Sequence, residues 1–279
     1  MKKVFSILQL LRAHNLCLGA AAVLVSANLL DFPMNELVIK TIFIVMTTMA
    51  LGYIMNDFLD IKSDMINHPN RPLVKKKISY LVIIIISFLL FVVLFFSSRA
   101  INTKALFFLL VYIFPSLLCY NFFLKRSPAL GNIIISVLLA SIFLFTELVL
   151  INSFNQLLIP FILTALFSVL REMIKDLQDY NGDLSINMRT LPIVVGPTKM
   201  RYLIIIWIIF LLIILTVPYY FLNYSFQYLI LLIIFIEIPL IYSLFLLIKF
   251  PSKSTYKNLT KLLKFLCVLG LIVIMSGKN

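Results

Sequence analysis

Apolar residues in this chain are gathered into blocks of about 20, the length a helix needs to cross roughly 30 Å of hydrocarbon. Nothing else in the sequence restricts the fold so strongly. Nine blocks lie near residues 12–30, 37–56, 78–98, 104–122, 130–150, 156–174, 200–217, 225–248 and 261–276. Hydrophobic residues make up 62% of the 279 and charged residues 13%, against roughly 25% charged in a water-soluble domain. A chain with so few charges cannot cover that much apolar surface in water. The strands of a membrane barrel would alternate over about ten residues each, and no such alternation is present. The pattern predicts an all-α membrane protein whose nine transmembrane helices form one bundle. No glycine-serine linker or low-complexity stretch interrupts it, so residues 1–279 are read as a single domain.

Basic residues orient the bundle. With the N-terminus in the cytoplasm, the cytoplasmic connections and their flanks hold 20 of the 24 Lys and Arg, leaving Lys40, Arg99, Lys104 and Lys278 outside. This is the asymmetry of the positive-inside rule for nine spans, and it predicts a multi-pass protein of the cytoplasmic membrane. The net charge of +13 is therefore topological. Nucleic acid is not an expected partner, because the basic residues are not interleaved with stacking aromatics. Cys17, Cys119 and Cys267 sit within apolar blocks without a close pair, which excludes a disulfide framework and a zinc ribbon.

The acids are the informative residues. Of 11 in total, seven fall in two places: Asp57, Asp60 and Asp64, then Glu172, Asp176, Asp179 and Asp183. Each aspartate triad has the spacing i, i+3, i+7, which on a helix sets three carboxylates within about 60° of one another. Like charges so placed repel, and near a bilayer they also lose hydration, so a cation is expected between them. Both triads end helices that run from outside to inside, so they meet the same, cytoplasmic, membrane face. Two stripes of hard oxygen ligands suit Mg²⁺, which takes one or two carboxylates per ion and fills its shell with water and phosphate oxygens. Simple charge balance against nearby lysines is one competing account. An ion-coupling site of a cation-coupled transporter is another, although such acids are expected near the bilayer midplane among broken helices.

The residues around the triads resemble a known family. Asn56-Asp57-x-x-Asp60-x-x-x-Asp64, followed by Asn67-x-Pro69-x-Arg71-Pro72, is similar to the first signature of the UbiA superfamily of intramembrane prenyltransferases. Arg171-Glu172-x-x-Lys175-Asp176-x-x-Asp179-x-x-Gly182-Asp183, with Thr190-Leu191-Pro192 beyond it, resembles the second. Within the superfamily the wording is most similar to the digeranylgeranylglyceryl phosphate synthases. Gln178 departs from that branch, which often has an acid there, and Ser185-Ile186-Asn187-Met188 lacks its usual glycine-lysine turn.

The resemblance implies transfer of a prenyl group from a prenyl diphosphate donor with Mg²⁺ as cofactor. For the ether-lipid branch the group is geranylgeranyl and the acceptor is geranylgeranylglyceryl phosphate. Another lipid-like or aromatic acceptor, such as a quinone precursor or a sugar phosphate, is the alternative. It further implies catalytic and metal-binding roles for Asp57, Asp60, Asp64, Asp176, Asp179 and Asp183, with Asn56 beside the metal. Arg12 and Asn15 resemble a family R-x-x-N element, and Arg71, Lys125, Lys175 and Arg189 are candidates for the phosphates. Tyr53 and Tyr120 are candidates for sheltering an allyl cation through their π faces. The topology is directly testable: reporter fusions at Lys77 and Lys125 are expected to read as cytoplasmic and one at Asn279 as exterior. A cytoplasmic reading at Asn279 would mean that the number of spans is even.

Overall fold

The structure is a computed structural model that describes residues 2–277, and every regular element among them is helical. Lys278 and Asn279, on which the expected exterior C-terminus rests, lie outside the described residues. The chain separates into two compact units. The first comprises residues up to Leu124 together with Ile142–Gln156, and the second Lys125–Ser141 together with the chain from Leu157 onward.

The first unit contains α1 (Lys2–Leu10), α2 (Ala13–Leu29), α3 (Glu36–Leu59), α4 (Ile61–Asn67), α5 (Tyr80–Ser98), α6 (Thr103–Phe107) and α7 (Phe114–Phe122), plus the end of α8 (Leu130–Ile151). Short polar residues open these helices by taking up backbone N–H groups that have no partner in the first turn. Asn35 accepts from Leu37 and Val38 at 3.0 and 3.1 Å, and Asn102 from Ala105 at 2.9 Å. The Asn102 amide also donates 2.7 Å to the Leu148 carbonyl, tying the start of α6 to the end of α8. Helix α3 is the hub, packed against α2, α5 and α7. Gly19 lets α2 approach it closely, since a Cβ there would come within 2.5 Å of Met49 Sδ. The core joins Val23 and Ala27 to Val38, Ile44 and Val45, and to Phe145 and Leu148 of α8.

The second unit holds the start of α8, then α9 (Leu158–Ser185), α10 (Leu191–Val195), α11 (Pro197–Ile214), α12 (Val217–Phe221), α13 (Phe226–Leu232), α14 (Ile238–Lys249) and α15 (Lys253–Met275). Its core lines Leu170, Ile174 and Leu177 of α9 against Ile204 and Ile208 of α11 and Leu263 of α15. Trp207 donates to the Leu166 carbonyl at 3.1 Å, fastening α11 to α9. Two apolar stretches pass through a π-helical turn just before a proline, at 108–113 ahead of Pro115 and at 233–237 ahead of Pro239. Proline has no N–H to offer the carbonyl four residues earlier, and its ring crowds that carbonyl, so the ladder widens there.

Seven helices are long and apolar enough to cross a membrane, and an eighth is added if α1 and α2 form one broken span bent by 57°. These account for eight of the nine expected blocks. The ninth, near 156–174, lies in α9, whose 28 residues include Arg171, Glu172 and Lys175 before the aspartates begin. Those charges keep α9 below the composition of a spanning helix, so the described residues support seven or eight spans where the blocks predict nine. The structure divides the N-terminal stretch at Arg12 into α1 and α2.

Buried and lipid-facing positions differ little in polarity, so cavities rather than transfer from water set the cost of core truncation. Ile204→Ala in the core of the second unit is expected to cost about 1–3 kcal/mol. Ile206→Ala, two residues along the same helix and 62% exposed, is expected to cost almost nothing. Thermal unfolding of both variants in one detergent measures the difference.

Candidate functional site

In the first unit the residues of the first motif come together around Asp57. The backbone at Arg12 turns left-handed, with φ 51° and ψ 52°, between α1 and α2. That conformation is costly for a side chain with a Cβ and persists where the surroundings hold it. Here it directs the guanidinium 2.6 Å from Asp57 Oδ1 and 4.8 Å over the Tyr53 ring. Arg71, reached through the loop after α4, bridges Asp57 at 3.3 Å and Asp64. Asn56 Nδ2 donates to Asp60 Oδ2 at 2.8 Å, so Asn56 orients that carboxylate. Asp57, Asp60 and Asp64 are 3%, 8% and 4% exposed.

This triad does not lie on one unbroken helix, as its spacing predicts. Asp60 sits at the junction of α3 and α4, with φ −95° and ψ 3°, and the hydrogen-bond ladder runs past it from Asn56 to Asp60 and from Asp60 to Asp64. All three carboxylates are buried, and two of them, Asp57 and Asp64, lie against arginines. The cation expected beside this triad is thus in part the protein's own: Arg12 and Arg71, proposed as phosphate contacts, already hold Asp57 and Asp64. Asn15, one turn beyond Arg12, keeps a buried Oδ1 with no hydrogen-bond partner among the described residues. Tyr120 is buried on α7, which leans on α3 where Leu117 meets Gly52.

The second triad does occupy one continuous helix. Asp176, Asp179 and Asp183 follow each other down the last turns of α9, with Asp179 and Asp183 buried and Asp176 half-buried. Its charges are compensated differently. The basic residues nearest in sequence are claimed by Glu172, whose two oxygens accept from Arg171 at 2.8 Å and Lys175 at 3.0 Å. Asp176 accepts from Asn132 of α8 at 2.9 Å, and Gln178 reaches Asp179 at 3.4 Å. Lys125, proposed for phosphate, stands within electrostatic reach of Asp183. Arg189 is exposed beyond α9 and has no ion-pair partner among the described residues. Asn132, which sequence reasoning does not single out, joins the second triad through its bond to Asp176. A polar side chain near the start of the block at 130–150 was the available signal.

Burial pushes Asp176 up to about 7 and Asp183 likewise up to about 7, with the neighbouring aspartates adding to the rise and Lys175 opposing it. Burial also raises Asp64, although Arg71 opposes it. These buried carboxylate oxygens are a donor set that a small hard cation fits. Among the described residues no three His, Cys, Asp or Glu side chains converge as a ready-made metal cage. For Mg²⁺ that is an ordinary arrangement, since it binds through one or two carboxylates and completes its shell with water and phosphate.

Known proteins resemble the chain along nearly its whole length. Residues 16–268 match the UbiA prenyltransferase family. Digeranylgeranylglyceryl phosphate synthase of Saccharolobus solfataricus is 30% identical over 98% of this chain and 96% of its own length. Among solved structures, one concerning digeranylgeranylglyceryl phosphate synthase in membranes superposes with a TM-score of 0.72 at 30% identity, covering 100% of this chain and 99% of that one. A UbiA homologue from Archaeoglobus fulgidus bound to DMAPP and Mg²⁺ shares the fold, with a TM-score of 0.67 at 16% identity over 96% of this chain and 99% of that one.

The raised aspartates have a consequence for stability. The folded protein holds protons on Asp176 and Asp183 between the ordinary value of 3.8 and about 7, where the unfolded chain has released them. More protons on the folded state mean that stability falls as pH rises through that window. Without divalent metal, the melting temperature is therefore expected to decline from pH 4 to 7. Asp183→Asn is expected to flatten the decline, and Mg²⁺ at pH 7.5 to restore part of the loss in the wild type. Parallel pH profiles for wild type and variant would expose an error in this account.

Proposed function

The chain belongs to the UbiA prenyltransferase family, and from that premise we propose that it moves a geranylgeranyl group from its diphosphate to geranylgeranylglyceryl phosphate. It is an integral membrane prenyltransferase; the donor length, the acceptor and the metal are the finer parts of the reading. The observation that carries it is the pairing, in each unit, of buried carboxylates with basic side chains. Such a combination suits the magnesium complex of a diphosphate. The full-length similarity to digeranylgeranylglyceryl phosphate synthase supports the acceptor. The DMAPP and Mg²⁺ bound by the Archaeoglobus homologue support the donor class and the cofactor.

In this reading Asp60, Asp64, Asp176, Asp179 and Asp183 hold the metal, and Asp57 anchors the arginines beside it. Magnesium, when bound, supplies positive charge that stabilises the departing diphosphate. The bond between the prenyl C1 and the diphosphate oxygen breaks, and its electron pair leaves with pyrophosphate. The acceptor hydroxyl oxygen bonds to C1 and releases its proton. Arg12 and Arg71 in the first set, and Lys125, Lys175 and Arg189 near the second, neutralise phosphate oxygens as charge develops on them. Asn15, with its buried acceptor oxygen, and the ring faces of Tyr53 and Tyr120 border the donor. We extend the proposal to the whole chain. It forms a single prenyltransferase domain of nine spans, with the apolar first part of α9 as the sixth, an N-terminus in the cytoplasm and the reaction at the cytoplasmic face of the cell membrane.

The test is purified protein with geranylgeranyl diphosphate, Mg²⁺ and a panel of acceptors, read by mass spectrometry. The ether lipid is the expected product, and EDTA is expected to abolish turnover until Mg²⁺ is restored. Prenylation of only an aromatic or sugar-phosphate acceptor would reassign the substrate within the family. Asp60→Asn and Asp179→Asn nearly preserve volume and are each expected to lower turnover a hundredfold or more, because about 1.4 kcal/mol of lost transition-state stabilisation is tenfold in rate. Exposed ion pairs contribute only about 0–1 kcal/mol. Near-normal turnover of both variants at equal expression would therefore reduce the triads to charge balance.

A further inference from the structure

The last described helix carries a feature that the prenyl-transfer chemistry does not use. Lys253, Lys257, Lys261 and Lys264 of α15 fall at i, i+4, i+8 and i+11, which places them within about 80° of one another around the helix axis. The opposite side, with Thr255, Leu259, Leu263 and Leu266, is buried in the second unit. Lys253, Lys257 and Lys261 are exposed and have no ion-pair partner among the described residues, while Lys264 is half-buried. No acid occurs anywhere in the sequence after Glu237, so α15 itself carries no acid to offset Lys253, Lys257 and Lys261.

The depth of the stripe is what sets it apart from ordinary cytoplasmic charge. The apolar remainder of α15, Phe265–Met275, has 11 residues and covers only about 16 Å at 1.5 Å per residue. A hydrocarbon core of roughly 30 Å needs about nine more, which takes the helix back to about residue 256. Lys257, Lys261 and Lys264 thus begin inside the hydrocarbon boundary. A lysine stem can extend along the helix and carry its ammonium back toward the interface. Lys257 and Lys261, which have no ion-pair partner among the described residues, attract anionic headgroups at that level, each contributing on the order of 1 kcal/mol near the surface.

We propose that the lysine stripe of α15 is a binding surface for anionic phospholipid, with Lys253, Lys257 and Lys261 gripping headgroup phosphate at the cytoplasmic interface. Charge complementarity selects the occupant: three exposed lysines without an ion-pair partner among the described residues, on a helix face that the fold leaves uncovered, at the depth where lipid phosphates lie. This surface is separate from the residues assigned to prenyl transfer, so it stands whichever acceptor the enzyme uses.

The experiment counts lipids. Delipidated full-length protein in neutral detergent is titrated with phosphatidylglycerol or with phosphatidylcholine, and bound lipid is counted by native mass spectrometry. The wild type is expected to hold phosphatidylglycerol at least tenfold more tightly, with the preference shrinking as salt rises. The triple variant Lys253→Gln, Lys257→Gln, Lys261→Gln is expected to lose that preference while keeping its affinity for phosphatidylcholine. A control removes the same charge elsewhere, with Lys75→Gln, Lys76→Gln and Lys77→Gln in an exposed loop of the first unit. Full preference in the control supports a site on α15. Equal loss in both triple variants would reduce the effect to net charge and overturn the proposal, as would a wild type that does not discriminate between the two lipids.

Discussion

Carboxylates buried at the edge of a bilayer lose hydration that only a cation, a proton or a hydrogen bond replaces. Much of the irregular geometry in this protein follows from that constraint. In the first unit a guanidinium meets it. Arg12 adopts a left-handed backbone conformation and the N-terminal helix breaks, which delivers the side chain to Asp57. Arg71 returns through a loop to bridge Asp57 and Asp64. The α3–α4 junction falls at Asp60, between them. A straight α1–α2 helix would be better formed locally and would leave Asp57 worse compensated.

The second unit meets the same constraint in another way. Glu172 takes up Arg171 and Lys175, Asn132 donates to Asp176 and Gln178 to Asp179. Burial, with the neighbouring aspartates adding to it, pushes Asp176 and Asp183 up to about 7, while Lys175 opposes the rise. The same constraint explains the composition of α9. Its apolar first half belongs among lipid and packed helices, while its last turns carry the charges of the site. One helix serves both, and by composition alone it falls short of a membrane span.

The lipid-exposed surface follows simpler rules. Helix α5 is apolar along almost its whole length and buries only Ile83, Leu94 and Ser97. Its other side chains are satisfied by hydrocarbon, which demands no pattern, so such a helix is read from length alone. Several hydroxyls inside the apolar helices turn back on their own helix. Thr41, Thr146 and Ser243 each bond the carbonyl four residues earlier, at 2.7, 2.7 and 2.8 Å.

The sequence by itself determined the solvent, the helical class, the positions of the seven helices long and apolar enough to cross a membrane, and the identity of the two acidic motifs. Those properties are local: block length answers to bilayer thickness, and the spacing i, i+3, i+7 answers to the helix period. The caps at Asn35, Asn102 and Ser252 are local in the same way, because the orphan N–H groups they take up lie within three residues. Only the tertiary structure decided which cation meets which acid. Arg12 and Asp57 are 45 residues apart, and Asn132 and Asp176 are 44 apart. No periodicity connects such pairs, so their meeting depends on how helices pack. The break at Asp60 belongs with them. Its residues are compatible with a continuous helix, and the interruption appears only once the helices are assembled, with Asp57 and Asp64 against two arginines.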